Sequence, residues 1–245
     1  MWDNAQRQID ASEKHSFLTA MVDGDLPVEQ FRHYVQQDAL YLVDFADCLV
    51  RLAAHDGVNR RDAAWLKGEA EQCIKAERDL HRTHFAKWGV QEGSIVASPT
   101  TLLYCSWMLR IVCTRPYAEG LAAMLPCFWV YLHVGEVMLE RRKALGGSVT
   151  RPDEFDKWID MYSGDGYVKT VTKFQQLVED AARAADGATR AAMTAHFKRG
   201  CELEWMFWSA AEKLEGWPPE LFPVAVPERR KQVEPRRKQV SRPCQ

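Results

Sequence analysis

One apolar stretch, residues 125–136, places a proline, a thiol and a phenol close together in a segment with helical character. A proline inside a helix removes a backbone hydrogen bond and crowds the carbonyl group four residues earlier. The helix is therefore expected to kink or restart at Pro126. Cys127 follows directly, and Tyr131 lies one helical turn later on the same face. These residues alone leave two interpretations of Cys127 open, an inert core thiol or a nucleophile.

Two carboxylates also occur within apolar helical patterns. Asp38 shares a helix face with Tyr41 and Phe45, so it is expected to point into the protein, where a carboxylate needs a hydrogen-bonding partner or a ligand's amino group. Glu204 shares a face with aromatic residues at 207 and 208. Such surroundings raise the pKa of a carboxyl group and suit it to proton transfer near neutral pH. A purely structural role stays open for both.

A metal site is an alternative, because Glu77, His81 and His84 lie on one predicted helix and helical bundles can hold two iron ions. Such centres use paired Glu-x-x-His motifs. Glu77 and His81 are four residues apart, and no Glu-x-x-His motif is found in the chain. We therefore expect no metal ion.

Composition narrows the class of protein. The chain has 245 residues, of which 47% are hydrophobic, enough for a full core. Nine tryptophans and seven tyrosines suit a pocket that holds a flat polar ring. The net charge of −2 gives no reason to expect binding to nucleic acid or to a membrane. No signal peptide is visible and no apolar stretch approaches the roughly 20 residues of a membrane span. With seven widely spaced cysteines, a reduced, cytoplasmic compartment is expected.

Apolar residues recur at three- and four-residue spacing along most of the chain, which predicts an all-α protein. The predicted helices cover about 5–22, 27–56, 61–88, 99–114, 116–146, 152–162, 167–186 and 188–215. The connections are short, so about eight helices form a single bundle domain over residues 1–222. Residues 223–245 are rich in Pro, Arg, Lys and Gln and repeat Arg-Arg-Lys-Gln-Val, which predicts a basic, disordered tail.

Taken together, several segments resemble the TenA family, also known as thiaminase II or aminopyrimidine aminohydrolase. The matching segments, in chain order, are His15-Ser16-Phe17, Asp23-Gly24-Asp25-Leu26-Pro27, the pattern Phe31, Tyr34, Gln37-Asp38, Tyr41-Leu42, Phe45-Ala46, then Ser98-Pro99-Thr100, Leu125-Pro126-Cys127 with Trp129, Tyr131 and Gly135-Glu136, Lys157-Trp158-Ile159 with Tyr162, Glu204 with Phe207-Trp208, and Glu215-Gly216-Trp217. Their order and spacing over residues 15–217 carry the resemblance. It implies the all-α fold of haem oxygenase.

The resemblance also implies roles. Cys127 falls on the family's nucleophile, so the chain is similar to the cysteine-bearing branch. Glu204 matches the acid/base glutamate, and Asp38 the carboxylate that holds the pyrimidine's amino group and ring nitrogen. The tyrosines expected to line the ring pocket are Tyr41, Tyr104, Tyr131 and Tyr162. His133 departs from the family, since some relatives carry an acidic residue there.

The implied reaction is hydrolysis of 4-amino-5-aminomethyl-2-methylpyrimidine to the hydroxymethyl pyrimidine and ammonia, with thiamin as a second candidate substrate. No metal or organic cofactor is needed, and a homotetramer is the family's expected assembly. Two alternatives from other classes stay open. One is a non-catalytic pyrimidine- or thiamin-binding or regulatory protein on the same scaffold. The other is a haem oxygenase-like protein with His15 as the iron ligand.

Overall fold

The protein is a bundle of α-helices, most of which begin at a capping side chain or directly after a proline. The computed structural model describes residues 1–90, 94–218 and 220, with the backbone alone for 76–84 and 86. The α-helices of these residues are α1 Gln6–Glu13, α2 Ser16–Asp23, α3 Val28–Ala53, α4 Arg60–Trp88, α5 Pro99–Thr114, α6 Tyr117–Leu145, α7 Asp153–Ser163, α8 Asp165–Ala184 and α9 Gly187–Glu212. Short 3-10 helices precede α1 and follow α6. The described residues contain no β-strand, so the all-α prediction is confirmed.

Asparagine, serine and aspartate side chains cap three of these helices. Asn59, Ser98 and Asp186 each accept a hydrogen bond from the backbone N–H three residues later, at the starts of α4, α5 and α9. The N-cap and first position predicted at Ser98 and Pro99 are confirmed. Prolines stand immediately before α3, α6 and α7, where their fixed φ suits a helix start.

The single helix predicted over residues 5–22 is wrong, because two helices occupy this stretch. His15 takes an extended conformation (φ −62°, ψ 129°), and its ring nitrogen Nδ1 accepts a hydrogen bond from the backbone N–H of Phe17, 3.1 Å away. The imidazole therefore acts as the N-cap of α2 and ends the continuous helical pattern. Neither glycine nor proline marks this break in the sequence.

Helix α6 is the central element of the bundle. It packs against α5, α7, α8 and α9, while α3 packs against α4, α5 and α9. The helix continues through Pro126, so the restart considered for this position does not occur. Gly135 allows the close approach of α7, since a Cβ atom on it would lie 2.8 Å from the carbonyl carbon of Tyr162.

The expectation that no segment could span a membrane needs correction. Within the described residues, Tyr117–Ser148, which contains α6, is long and apolar enough to do so. However, 67% of its apolar window is buried inside the protein, as is typical of the central helix of a bundle. The boundary predicted at residue 222 and the tail predicted over 223–245 lie outside the described residues.

Candidate active site

Cys127 lies on α6, directly after Pro126. Its side chain keeps partial solvent exposure although protein atoms surround it closely. Burial raises the pKa of the thiol well above its usual value, and the nearby charge of Glu204 raises it further. A hydrogen bond with the hydroxyl of Tyr41 acts in the opposite direction. The thiol is therefore held in its protonated form in the free protein.

The hydroxyl group beside the thiol differs from the one that helical spacing indicates. Tyr131 is one turn from Cys127 on α6, but its hydroxyl hydrogen-bonds to Glu204. Tyr41, on α3, supplies the hydrogen bond to Cys127, and this hydroxyl also lies 3.9 Å from the Sδ atom of Met108. The partner of the thiol thus comes from a different helix.

Glu204 lies on α9 and is almost completely buried, with 1% of its surface exposed. The hydroxyl of Tyr104 on α5 donates a hydrogen bond of 2.6 Å to its Oε1 atom. Loss of hydration raises the pKa of Glu204 to about 8, and the charge of Asp38 contributes to the increase. The hydrogen bonds from Tyr104 and Tyr131 lower it in part. The raised pKa predicted from the aromatic surroundings is confirmed.

Asp38 is buried on α3, as its spacing with Tyr41 predicts. Its negative charge raises the pKa values of Glu204, Cys127 and Tyr131, so it lies near all three groups. Two carboxylates, a thiol and several phenols therefore lie close together where α3, α5, α6 and α9 meet. A pair of close carboxylates resists double ionisation, which favours binding of a protonated or amino-bearing ligand.

Aromatic rings surround these groups. The ring centroids of Tyr41 and Tyr104 are 4.9 Å apart, and those of Tyr131 and Tyr162 are 4.8 Å apart. All four tyrosines are buried. Burial raises the pKa values of Tyr41, Tyr104 and Tyr131, so these hydroxyls remain protonated and can donate hydrogen bonds. The structure thus brings together the seven residues to which the resemblance assigns catalytic or substrate-binding roles.

Three further aromatic residues belong to the same cluster. Tyr167, at the start of α8, donates a 2.9 Å hydrogen bond to the backbone carbonyl of Cys127. Phe207 packs against Tyr41 with centroids 5.7 Å apart, and the hydroxyl of Tyr34 accepts a 3.2 Å hydrogen bond from Trp158. The helix face shared with Glu204 already pointed to Phe207. Tyr167 shares no helix face with a candidate residue, so the sequence did not point to it. The turn between α7 and α8 sets its position.

A C-terminal strap, residues 215–217, connects the end of α9 to the start of α5. The carboxylate of Glu215 accepts hydrogen bonds from the backbone N–H and the hydroxyl of Thr100, at 2.8 and 3.0 Å. The indole N–H of Trp217 donates to the carbonyl of Ala97. Gln37, next to Asp38, donates to the carbonyl of Val96 and accepts from the N–H of Ser98. The strap and Gln37 fix α3, α5 and α9, which carry Asp38, Tyr104 and Glu204.

His133 does not face the cluster of side chains around Cys127 and Glu204. Its Nε2 atom lies 2.5 Å from the carboxylate of Glu13, and its ring packs edge-on against Trp2. The departure from the family pattern at His133 therefore concerns the contact between α6 and the N-terminal helices.

The alternatives with a metal or haem have little support in the described residues. Both ring nitrogens of His15 are engaged, Nδ1 by the N–H of Phe17 and Nε2 by the hydroxyl of Ser209 at 2.8 Å, which leaves neither for iron. The side chains of Glu77, His81 and His84 lie outside the described residues. No group of three metal-ligating side chains comes together among the residues that the structure describes.

Comparison with known proteins decides the family. A sequence model of the TENA/THI-4/PQQC family matches residues 2–214. The chain belongs to this family. It is 32% identical over 206 residues to the aminopyrimidine aminohydrolase of Bacillus subtilis strain 168, covering 83% of this chain and 84% of that protein.

Two solved structures show the fold of this TENA/THI-4/PQQC family member. A TenA homologue from P. horikoshii OT3 has a TM-score of 0.77 and 20% identity, over 86% of this chain and 96% of that one. A domain of unknown function with a haem oxygenase-like fold from Shewanella denitrificans OS217 has a TM-score of 0.67 and 13% identity, over 90% of this chain and 91% of that one. These structures confirm the haem oxygenase-like fold. The family match and the Bacillus subtilis relative confirm the predicted family and the expectation of an enzyme acting on carbon–nitrogen bonds.

Proposed function

We propose that this protein hydrolyses 4-amino-5-aminomethyl-2-methylpyrimidine to the hydroxymethyl pyrimidine and ammonia, in the salvage of thiamin. One observation carries the proposal: a thiol, Cys127, and a buried carboxylate with a pKa of about 8, Glu204, lie close together among buried tyrosines. The name of the Bacillus subtilis relative supports the aminopyrimidine as the substrate class.

Recognition of the ring rests on Asp38 and the tyrosines. The carboxylate of Asp38 accepts hydrogen bonds from the ring's amino group and from its protonated ring nitrogen. Tyr41, Tyr104, Tyr131 and Tyr162 hold the ring flat and exclude bulk water. Exclusion of water strengthens the attraction between Asp38 and the polarised ring, and the fixed geometry reduces the entropy lost on reaching the transition state.

Chemistry begins with proton transfer from the thiol of Cys127 to Glu204. The sulfur then adds to a ring carbon, which breaks the aromaticity and lets the ring electrons expel the amine from the exocyclic methylene. Glu204 delivers its proton to the leaving amine, which departs as ammonia. Glu204, now ionised, takes a proton from the water that adds to the methylene carbon. The C–S bond then breaks, the ring regains its aromaticity, and the released thiolate takes that proton back from Glu204. Covalent catalysis thus replaces one difficult displacement with two easier steps, without a metal or organic cofactor.

The raised pKa values fit this sequence of steps. Water stabilises the thiolate of a fully exposed cysteine, so such a cysteine needs no base. Protein atoms surround Cys127 closely and raise the pKa of its thiol, so the thiol loses its proton only to a nearby acceptor. Glu204 is a suitable acceptor, because a pKa of about 8 lets it gain and lose a proton near neutral pH. The Tyr41 hydroxyl stabilises the thiolate once it forms.

A product assay with the aminomethyl pyrimidine and with thiamin, side by side, tests the function. We expect ammonia and hydroxymethyl pyrimidine from the first substrate, while the second measures any thiaminase II activity. Cys127→Ser should abolish turnover and retain pyrimidine binding in calorimetry. Cys113→Ser, which changes an exposed cysteine on α5, is the control and should retain full activity.

Turnover by Cys127→Ser near the level of the unchanged protein would contradict the cysteine mechanism. Binding of the pyrimidine by the unchanged protein without any product would instead support a non-catalytic binding or regulatory protein.

We also propose a cytoplasmic homotetramer. Apolar side chains at Val43 and Val50 of α3, and at Leu102 and Leu103 of α5, are exposed, and association of four copies would cover such residues. Sedimentation equilibrium would give a mass of about four times 28.1 kDa. A monomer at micromolar concentration would contradict this assembly.

A further inference from the structure

Helices α6 and α9 make a very close contact where Gly200 meets Pro126. A Cβ atom placed on Gly200 would lie 2.5 Å from Cγ and 3.2 Å from Cβ of Pro126. It would also lie 3.3 Å from the carbonyl oxygen of Ala123. The proline ring and the backbone of α6 are both rigid, so they cannot move aside as the end of a flexible side chain could. No residue larger than glycine fits here without displacing a helix.

This contact is adjacent to both groups assigned to the chemistry. Pro126 directly precedes Cys127 on α6, and Gly200 lies one turn before Glu204 on the same face of α9. The distance between the two helix axes at Gly200 therefore determines how far the carboxylate of Glu204 lies from the thiol. The charge of Glu204 already influences the thiol at the present separation.

Proline and glycine have complementary shapes at this position. The ring of Pro126 projects from α6 where other residues carry an N–H, and the missing side chain of Gly200 leaves a matching notch in α9. Each residue has a cost within a helix, because proline removes a hydrogen bond and glycine increases the entropy of the unfolded chain. Both destabilising residues lie at the same contact, next to Cys127, where they allow α6 and α9 to approach closely.

We propose that Gly200 and Pro126 form a positioning pair that sets the distance over which Glu204 and Cys127 exchange a proton. This inference rests on the proposed function, because it assumes that the exchange is part of turnover. Neither residue touches the substrate. Their effect on the reaction passes entirely through the spacing of α6 and α9.

The variant Gly200→Ala tests the pair. The added methyl group should push α9 away from α6, so turnover of the aminomethyl pyrimidine should fall by about tenfold or more with little change in KM. Alkylation of Cys127 by iodoacetamide at pH 9, followed by peptide mass spectrometry, should become faster by about threefold, because a more distant negative charge raises the thiol pKa less. Lower turnover together with a more reactive thiol is the expected signature.

Two controls separate positioning from general loosening of the structure. Gly187→Ala, on the same helix, adds a methyl group where nothing lies within 4 Å, and should change neither rate. In a Glu204→Gln background the charge is absent, so Gly200→Ala should no longer accelerate alkylation. If acceleration persists there, the methyl group only opens the pocket, and the proposal is wrong.

Rescue provides an independent readout. In the double variant Pro126→Ala/Gly200→Ala, the lost ring atoms make room for the new methyl group, so turnover and alkylation should return towards their original values. Unchanged rates in Gly200→Ala would overturn the proposal. If Gly200→Ala does not fold, Pro126→Ala alone decides: removing the ring must change the alkylation rate at pH 9, and an unchanged rate refutes the pair.

The alkylation rate needs no substrate. A protein that hydrolyses no pyrimidine would contradict the proposed function, whereas the response of the thiol would still test whether Gly200 and Pro126 set its distance from Glu204.

Discussion

The hydroxyl of Tyr104 donates a 2.6 Å hydrogen bond to Oε1 of Glu204 and so joins α5 to α9 inside the bundle. This bond lowers the pKa of Glu204 against the larger effect of burial. The position of α5 therefore influences the proton affinity of a group on α9. The strap at the end of α9 holds the start of α5 in place.

Removal of this hydroxyl should shift the pH profile of the reaction. In Tyr104→Phe the carboxylate loses a donor, so the pKa of Glu204 rises above about 8. The ionised form that accepts the thiol proton then requires a higher pH. We expect the rising limb of kcat/KM to move by about one pH unit to the alkaline side. Tyr117→Phe, at the distant start of α6, should leave the profile unchanged, and an unshifted limb in Tyr104→Phe would contradict the assignment of Glu204 as the base.

Glu204 should also affect stability in a pH-dependent way. Its pKa is about 8 in the folded protein and 4.5 in its unperturbed state, so between these values the folded state holds a proton that the unfolded state releases. The free energy of unfolding therefore falls as pH rises from about 4.5 to about 8, by up to ~5 kcal/mol. Urea denaturation at pH 5 and pH 9 should show this loss in the unchanged protein and a smaller loss in Glu204→Gln. Equal losses in both proteins would show that the carboxyl group does not titrate in this range.

Tyr167 offers a test of how the thiol is held. Its hydroxyl binds the backbone carbonyl of Cys127, so Tyr167→Phe removes a contact between α8 and α6 without changing the shape of the ring. We expect turnover to fall several-fold and stability to fall by about 1 kcal/mol. Lys169→Ala, also on α8, provides a control for general effects on that helix. A variant with full turnover would show that α6 holds Cys127 without help from α8.

The strap should contribute mainly to stability. Glu215→Ala leaves the N–H and hydroxyl of Thr100 without their shared acceptor, which should cost about 1–3 kcal/mol. Glu140→Ala removes an exposed carboxylate that pairs with Lys143 on its own helix, and should change stability by less than about 0.5 kcal/mol. Chemical denaturation measures both values. Similar losses in the two variants would mean that the strap does not hold α5.

The close contact of α6 with α7 should govern pyrimidine affinity. A methyl group in Gly135→Ala would meet the backbone of Tyr162 and displace its ring, so we expect binding to weaken by about tenfold. Gly147 has open space around it, and Gly147→Ala should bind normally. Calorimetric titration with the pyrimidine distinguishes these outcomes. Unchanged affinity in Gly135→Ala would remove Tyr162 from the proposed ring pocket.

Much of the fold follows from local signals in the sequence. Helical spacing of apolar residues, together with caps such as Ser98 and prolines such as Pro116, predicts most helix starts within a few residues. Asp38 and Glu204 could be singled out because a carboxylate within an apolar face must find a partner. The break at His15 could not be predicted, since an imidazole rarely caps a helix and no glycine or proline stands there.

The spacing of residues along one helix does not determine which side chains of different helices meet in the candidate site. Helical periodicity relates Cys127 to Tyr131, but the hydroxyl at the thiol belongs to Tyr41 on another helix. The family resemblance identified the converging side chains without showing which pairs form hydrogen bonds. Gly200 drew no attention in the sequence, because only the packing of α9 on Pro126 reveals why a side chain is excluded there.

Because the thiol of Cys127 stays protonated in the free protein, its sulfur should be oxidised slowly. Peroxides attack thiolates far faster than thiols, and enzymes with a permanently ionised cysteine are readily inactivated by them. In the proposed reaction the proton leaves the sulfur only when Glu204 accepts it beside a bound ring. The exposed Cys113 would meet diffusing oxidants first, while the half-buried, protonated sulfur of Cys127 should react with them more slowly than a permanently ionised cysteine.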